Sequence, residues 1–168
     1  RAGRVASEGA VGSYVHLGGK IGVLVEVNCE TDFVGKSPDF QDLVKDIAMH
    51  IAAAAPRYVR REDVPADVVA KEKEILAGSD DLKSKPENVR EKIVEGRVNK
   101  FFEEICLIEQ PFVKDPNSTV KAMIEAKQAK IGEKIDVRRF VRYQLGEGIE
   151  KRQDDFAAEV AAQMGKQA

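Results

Sequence analysis

The sequence is poor in the residues that build reactive sites and cross-linked frameworks. It contains no tryptophan, two histidines and two cysteines, Cys29 and Cys106, which lie far apart in the chain. Disulfide frameworks and zinc sites need several such residues at characteristic spacings. Phosphate-binding and dinucleotide-binding glycine motifs are also missing. The sequence therefore predicts no metal site and no cofactor.

Long apolar runs and an excess of one charge are missing as well. The apolar runs fall short of the ~20 residues that a membrane-spanning helix needs, and no secretory segment is present, so we expect a reducing compartment. The 27 Lys and Arg residues nearly balance 29 Asp and Glu residues, which leaves a net charge of −2. Such a balance disfavours binding to nucleic acid through phosphate neutralisation. We expect neither a membrane nor a nucleic acid as a direct partner.

The composition is that of a globular protein. Of the 168 residues, 43% are hydrophobic and 33% charged, which suits one domain with at most a small appendage. A cysteine–histidine pair could be assembled from Cys29 or Cys106 with His16 or His50, but no local motif marks one. Isolated cysteines usually serve as small buried apolar residues. The sequence does not indicate an enzyme.

The first part of the chain predicts a β-hairpin followed by a helix. Strands at 12–17 and 20–28 flank Gly18 and Gly19, which supply the positive φ of a tight turn. In the second strand Ile21, Val23, Val25 and Val27 share one face. Ser37 and Pro38 begin a helix that runs to about Ala55. Its core stripe is Phe40, Leu43, Val44, Ile47 and Ile51. A second apolar patch could face either a partner subunit or the chain's own later helices, and it consists of Met49, Ala52 and Ala53.

The second part predicts helices and a final strand. Helices are expected at 65–76, at 86–106 with Gly96 at a close crossing, and from a cap at Asn117 and Ser118 to about Lys130. In the strand, Ile135, Val137, Val141, Tyr143 and Leu145 are expected on one face, with Arg139 interrupting it. A short helix from Phe156 to about Met164, capped by Asp154 or Asp155, carries Phe156, Val160 and Met164 at helical spacing. Such a short helix must dock on this chain or on another protein.

These elements predict an α+β fold in which helices cover a small antiparallel sheet, with a C-terminal docking helix. Because Gly146 and Gly148 interrupt the pattern, we divide the chain into a core domain, 1–146, and a C-terminal helical module, 147–168. The chain begins with Arg1 rather than Met, and we expect further residues before it in the full-length protein.

The segment Thr31-Asp32-Phe33-Val34 lies between the second strand and the first long helix. Two interpretations fit these residues. Phe33 could pack beneath the following helix while Asp32 caps a turn, as most loop aromatics do. Alternatively, Phe33 is an exposed wedge on a short, stiff connection. The residues themselves leave both interpretations open.

The region around this segment resembles the signature of the elongation factor Ts family, and further similar strings follow in family order along nearly the whole chain. The signature string spans residues 25–34. The other strings lie at 3–9, 12–16, 48–52, 94–97, 109–113, 130–133, 137–140, 146–151 and 155–160. Together these strings are far more specific than the four residues at 31–34 alone.

The resemblance implies a guanine-nucleotide exchange factor for elongation factor Tu, the GTPase that delivers aminoacyl-tRNA. It implies that Phe33 inserts between two helices of the GTPase while Asp32 hydrogen-bonds nearby, with Thr31 and Val34 completing the string. The insertion disturbs the Mg²⁺ and phosphate environment, so GDP is released. The resemblance also matches His16, Ile131 and Gly132 with secondary contacts, and Phe156 and Val160 with a helix that docks on the nucleotide-binding domain.

Two departures from the family pattern bear on assembly. The resemblance does not include the family's N-terminal helical domain, so we expect these residues to bind the GTPase with reduced affinity. The chain also carries one copy of a core unit that longer members carry twice, and short members pair as homodimers. The resemblance therefore implies a homodimer, for which the patch of Met49, Ala52 and Ala53 is a candidate surface.

Alternative functions and locations stay open from the sequence. The chain could be a ribosome-associated or GTPase-binding module without exchange activity, or a small enzyme with an unrecognised site. We expect it in a bacterial cytoplasm or in an organelle stroma or matrix, and in a eukaryote the chloroplast is favoured over the mitochondrion.

Overall fold

A three-stranded antiparallel sheet is the centre of the computed structural model, which describes residues 3–150 and 156–166. Strands β1 (Glu8–Val15), β2 (Ile21–Cys29) and β5 (Asp136–Gln144) lie in the order β1-β2-β5. Gly18 and Gly19 both have positive φ at the turn between β1 and β2, a conformation that other residues rarely adopt. The predicted hairpin is confirmed, with β1 beginning at Glu8 rather than Gly12.

Helices and a small hairpin complete the fold. Their order is α1 (Asp32–Gly35), α2 (Pro38–Ala54), α3 (Ala66–Ala77), α4 (Glu87–Ile105), β3 (Pro111–Phe112), β4 (Asp115–Thr119), α5 (Val120–Ile131) and α6 (Phe156–Gly165). Strands β3 and β4 form a separate two-stranded sheet. Helices α3 and α4 pack on each other as a helical hairpin. The α+β class is confirmed.

One face of the main sheet is covered by α2. Val23, Val25 and Val27 point from β2 into a core that includes the predicted stripe of α2, and all of these side chains are buried. The side chain of Ser37 accepts a hydrogen bond from the Phe40 amide at 3.3 Å, which starts α2 where the sequence predicted. On the opposite face of the sheet, none of the described elements covers Val11, Leu24, Val141 and Tyr143, which are exposed.

A bulge in β5 overturns the predicted face of the last strand. Glu26 pairs with Arg139 and Val27 pairs with Val137, so Arg138 is an extra residue in the ladder. The inserted residue reverses the alternation beyond it, because side chains in a strand change face at every step. Val137 therefore faces the core, whereas Val141 and Tyr143 face away from it.

Of the two alternatives for the second α2 patch, Ala52 follows the one within this chain, since it is buried in the main core; Met49 is half-buried and only Ala53 is exposed. Two other expectations were wrong in detail. Gly96 is not at a close crossing, since a Cβ there would meet nothing within 4 Å. Thr119 rather than Asn117 or Ser118 caps α5, because residues 115–119 form β4 and the Thr119 side chain accepts from the Ala122 amide.

The terminal helix was predicted correctly in position. Every residue of α6 is exposed, including Phe156 and Met164. The expected caps, Asp154 and Asp155, lie outside the described residues. Within residues 3–150 and 156–166, no helix is both long enough and apolar enough to span a bilayer.

Candidate functional site

Residues 31–34, here called the Phe33 turn, begin a single turn of helix rather than an irregular loop. The side chain of Thr31 accepts a hydrogen bond from the Val34 amide at 3.2 Å and so caps α1. Ser37 closes the other end, donating from its amide and its hydroxyl to the Val34 carbonyl. The segment between β2 and α2 is thus fixed at both ends by side-chain hydrogen bonds.

Neighbouring side chains of the Phe33 turn face opposite ways. Phe33 is 85% exposed, although it is a large apolar residue. Val34 is half-buried against the main core, and Gly35 is buried against β1. A Cβ on Gly35 would lie 3.3 Å from the Gly9 backbone, so the turn rests directly on the strand. This packing anchors the turn and leaves Phe33 projecting into solvent.

Asp32 is exposed beside Phe33. Its carboxylate lies 2.8 Å from the ammonium of Lys36, one helical turn later. The hydrogen bond and the charge of Asp32 raise the pKa of Lys36 above its ordinary value. Exposed ion pairs of this kind are weak and exchange readily for other partners. Asp32 is therefore accessible, and its carboxylate can accept a hydrogen bond from another molecule.

A carboxylate from a distant part of the chain holds the start of the Phe33 turn. Glu133 Oε1 accepts from the amides of Glu30 and Thr31 at 3.0 and 3.1 Å, and its Oε2 accepts from the Thr31 hydroxyl at 2.7 Å. Glu133 belongs to the family-like string at 130–133, but the sequence analysis predicts no contact for it. No local pattern could have found it, because its partners lie about a hundred residues away.

The other candidate residues do not all lie near the Phe33 turn. Ile131 and Gly132 end α5 immediately before Glu133, so they are close to the Phe33 turn, and Gly132 is exposed.

His16 and the residues of α6 lie elsewhere on the molecule. His16 is exposed at the opposite end of the β1–β2 hairpin, beside the glycine turn at 18–19. Its Nδ1 is 2.9 Å from the Tyr14 hydroxyl. Phe156 and Val160 belong to the exposed helix α6.

The cysteines and histidines do not form a reactive pair. Cys29 and Cys106 are both buried, and neither forms a disulfide. Burial raises the pKa of the Cys29 thiol, and it raises that of Cys106 to about 11, so both stay protonated at neutral pH. The Cys29 thiol donates to the Thr31 carbonyl at 3.2 Å. No group of three potential metal ligands occurs in the part of the chain that the structure describes.

Comparisons with known proteins agree with the resemblance. A family model described as "Elongation factor TS" matches residues 1–147. The chain is 65% identical to the elongation factor Ts of Desulforamulus reducens over 164 residues, covering 98% of this chain and 76% of that protein. It is 66% identical to that of Geobacter metallireducens over 165 residues, with the same two coverages. It is 61% identical to that of Carboxydothermus hydrogenoformans over 164 residues, again covering 98% and 76%.

Proposed function

The chain belongs to the elongation factor Ts family, and from this premise we propose that it is a guanine-nucleotide exchange factor for elongation factor Tu. The observation that carries the proposal is the 85% exposure of Phe33 on a turn fixed at both ends. Solvent exposure of a large apolar residue is unfavourable in the free protein, and burying it at a partner recovers that free energy. Residues 31–34 are the contact that promotes GDP release.

The proposed mechanism requires binding energy but no covalent chemistry. Phe33 enters between helices of the GTPase, and the Asp32 carboxylate accepts a hydrogen bond beside it. The insertion displaces groups around the Mg²⁺ ion, which bridges phosphate oxygens and holds the nucleotide electrostatically. The factor accelerates release because it binds the empty GTPase more tightly than the loaded one. By linkage, nucleotide weakens the binding of the factor by the same ratio.

Secondary contacts extend the proposed interface beyond the Phe33 turn. Gly132 is exposed next to the turn, and His16 is exposed at the far end of the hairpin, so both are accessible to a large partner. Phe156 and Val160 lie on α6, whose residues are all exposed. We assign α6 to a docking module, 147–168, separate from a core domain, 1–146. The end of the family match at residue 147 supports this division.

We also infer that the chain forms a homodimer through the uncovered face of its sheet, called here the outer sheet face. Its apolar residues are Val11, Val15, Leu24, Val141 and Tyr143, each at least 44% exposed. Sheets commonly bury such a face against a second sheet. A second copy of this chain offers the same surface, as a two-fold interface requires. This surface replaces the α2 patch, of which Ala52 is already buried.

A module that binds the GTPase without promoting exchange is the alternative. The two functions differ in one measurement, the release of a fluorescent GDP analogue from elongation factor Tu. The exchange factor accelerates release at substoichiometric concentration, whereas a binding module does not. A turnover reaction that depends on Cys29, Cys106, His16 or His50 would instead indicate an enzyme, which the raised thiol pKa values disfavour. The bacterial relatives favour the cytoplasm over an organelle as the location.

A further inference from the structure

We propose that Glu133 is a positioning residue that sets the orientation of Phe33 for nucleotide exchange. The proposal rests on the proposed function. It concerns a residue that touches neither Phe33 nor Asp32 through a hydrogen bond and acts through Thr31 instead.

The Glu133 carboxylate accepts three hydrogen bonds from the residues that lead into α1. Glu133 accepts the amide protons of Glu30 and Thr31, the last two backbone donors before α1. It also accepts the hydroxyl proton of Thr31 at 2.7 Å. A hydroxyl has one proton, so this bond leaves the lone pairs of Thr31 Oγ1 available for the Val34 amide. Glu133 therefore fixes the rotamer in which Thr31 caps the turn that presents Phe33.

Residues 30–31 and residues 133–134 hydrogen-bond each other in both directions, and these bonds are called here the brace. The Glu30 carboxylate accepts from the Lys134 amide at 2.6 Å. It also lies 3.5 Å from the guanidinium of Arg4. Each loop thus supplies a carboxylate to the backbone of the other. Gly132 directly precedes Glu133 in the chain. A GTPase bound at Gly132 would therefore contact the same loop that holds the Phe33 turn.

The position of the brace indicates an effect on exchange rather than on folding. Thr31 is exposed and Glu133 half-buried, so water can replace their hydrogen bonds when the carboxylate is removed. The main core does not include Glu133. Without the brace, however, the turn samples more orientations and must be ordered on binding, which weakens the complex. Loss of Glu133 should therefore reduce exchange while leaving the fold intact.

The test compares variants at position 133 with a control on α5. Glu133→Ala should lower the rate of fluorescent GDP release from a bacterial elongation factor Tu about tenfold, the effect of losing one strong interaction. Glu133→Gln should retain part of the activity, because its single amide oxygen can still accept both backbone protons. Glu125→Ala removes an exposed carboxylate from α5 and should exchange like the parent chain. Thermal unfolding of each variant reports folding.

A double-mutant cycle separates positioning from direct contact. If Glu133 acts through the Phe33 turn, Glu133→Ala should have almost no further effect in a Phe33→Ala background. An equal loss in both backgrounds would overturn the positioning role, as would parental exchange per folded molecule of Glu133→Ala. Should Glu133→Ala fail to fold, Glu133→Gln decides by the same cycle. A parent chain that does not accelerate release would overturn the proposed function itself, and this result is distinct from the other outcomes.

Discussion

At the scale of single residues, Phe33 and Phe40 have opposite surroundings although they lie close together in the chain. Phe40 is fully buried in the main core, whereas Phe33 is 85% exposed. The two rings belong to different helices, because Thr31 caps the start of α1 and Ser37 caps the start of α2. Phe33 therefore lies on the solvent side of α1, whereas Phe40 lies on the core side of α2. The pair provides matched substitutions for separating function from stability.

Phe33→Ala should reduce exchange much more than it reduces stability. Burial of a phenylalanine at a partner contributes roughly 1.5–3 kcal/mol, which corresponds to about 10- to 150-fold in a binding constant. Release of fluorescent GDP and the denaturant midpoint should be measured for the same preparation. Phe40→Ala is the control and should cost about 3–5 kcal/mol of folding stability. If the denaturant midpoint of Phe33→Ala fell as much as that of Phe40→Ala, Phe33 would be a core residue and not a residue that inserts into the GTPase.

His50 makes stability depend on pH. It is fully buried, its Nδ1 accepts from the Val113 amide at 3.2 Å, and its Nε2 lies 2.9 Å from Gln110 Oε1. The Gln110 amide group donates to the Ala54 and Glu104 carbonyls, so its oxygen faces the ring and Nε2 carries the proton. A protonated ring would lose the bond from Val113. Burial lowers the pKa of His50 below its usual 6.5.

The protein should therefore lose stability as pH falls from 7.5 to 5.5. The unfolded chain binds a proton at His50 near pH 6.5, whereas the folded chain resists it until lower pH, so acid favours unfolding. Chemical unfolding across this range measures the slope. His50→Gln should flatten the slope, because it removes the buried ring that resists protonation. An equal slope in the parent and in His50→Gln would show that another group is responsible.

At the scale of elements, local patterns predicted best where one interaction decides the structure. The cap at Ser37, the glycine turn at 18–19 and the buried stripe of α2 were all found from sequence. The bulge at Arg138 was not, because alternation assumes an unbroken ladder and the extra residue is defined only by pairing with β2. Likewise, the exposure of Phe33 was open from its residues, and the hydrogen bonds of Glu133 depend on tertiary structure.

Helix α6 should be dispensable for folding and important for binding. All its residues are exposed, and a ten-residue helix has little stability alone. Removal of residues 149–168 should leave the thermal unfolding transition of the core nearly unchanged and weaken binding to elongation factor Tu about tenfold or more. Calorimetric titration measures the affinity. Undiminished affinity, or loss of the unfolding transition, would show that α6 is not a docking element.

At the scale of the whole molecule, the fold is asymmetric about its sheet. Helix α2 covers one face, while the outer sheet face exposes five apolar side chains. Contiguous apolar patches of this kind commonly mark sites of association. The Phe33 turn follows the end of the central strand β2, so association through the outer face leaves its connection to α2 intact.

Leu24→Lys should dissociate the proposed dimer. Leu24 is at the middle of the outer sheet face, between Ser13 and Val141, and is half-exposed, so lysine can be solvated in a monomer but not in an interface. Sedimentation equilibrium should show a dimer for the parent and a dissociation constant raised at least about tenfold by the substitution. Ala53→Lys, on the exposed part of α2, is the control. A monomeric parent, or dissociation by Ala53→Lys alone, would contradict the assignment.

The bond between Glu133 and residues 30–31 also imposes an order in time on the newly made protein. The Phe33 turn is synthesised early, but the carboxylate that fixes it is added about a hundred residues later. Strand β5, which pairs with β2, follows later still. A nascent chain still lacking these residues carries Phe33 on an unbraced segment. The turn that we propose for exchange is therefore fixed only late in synthesis, when Glu133 is in place and β5 can pair with β2.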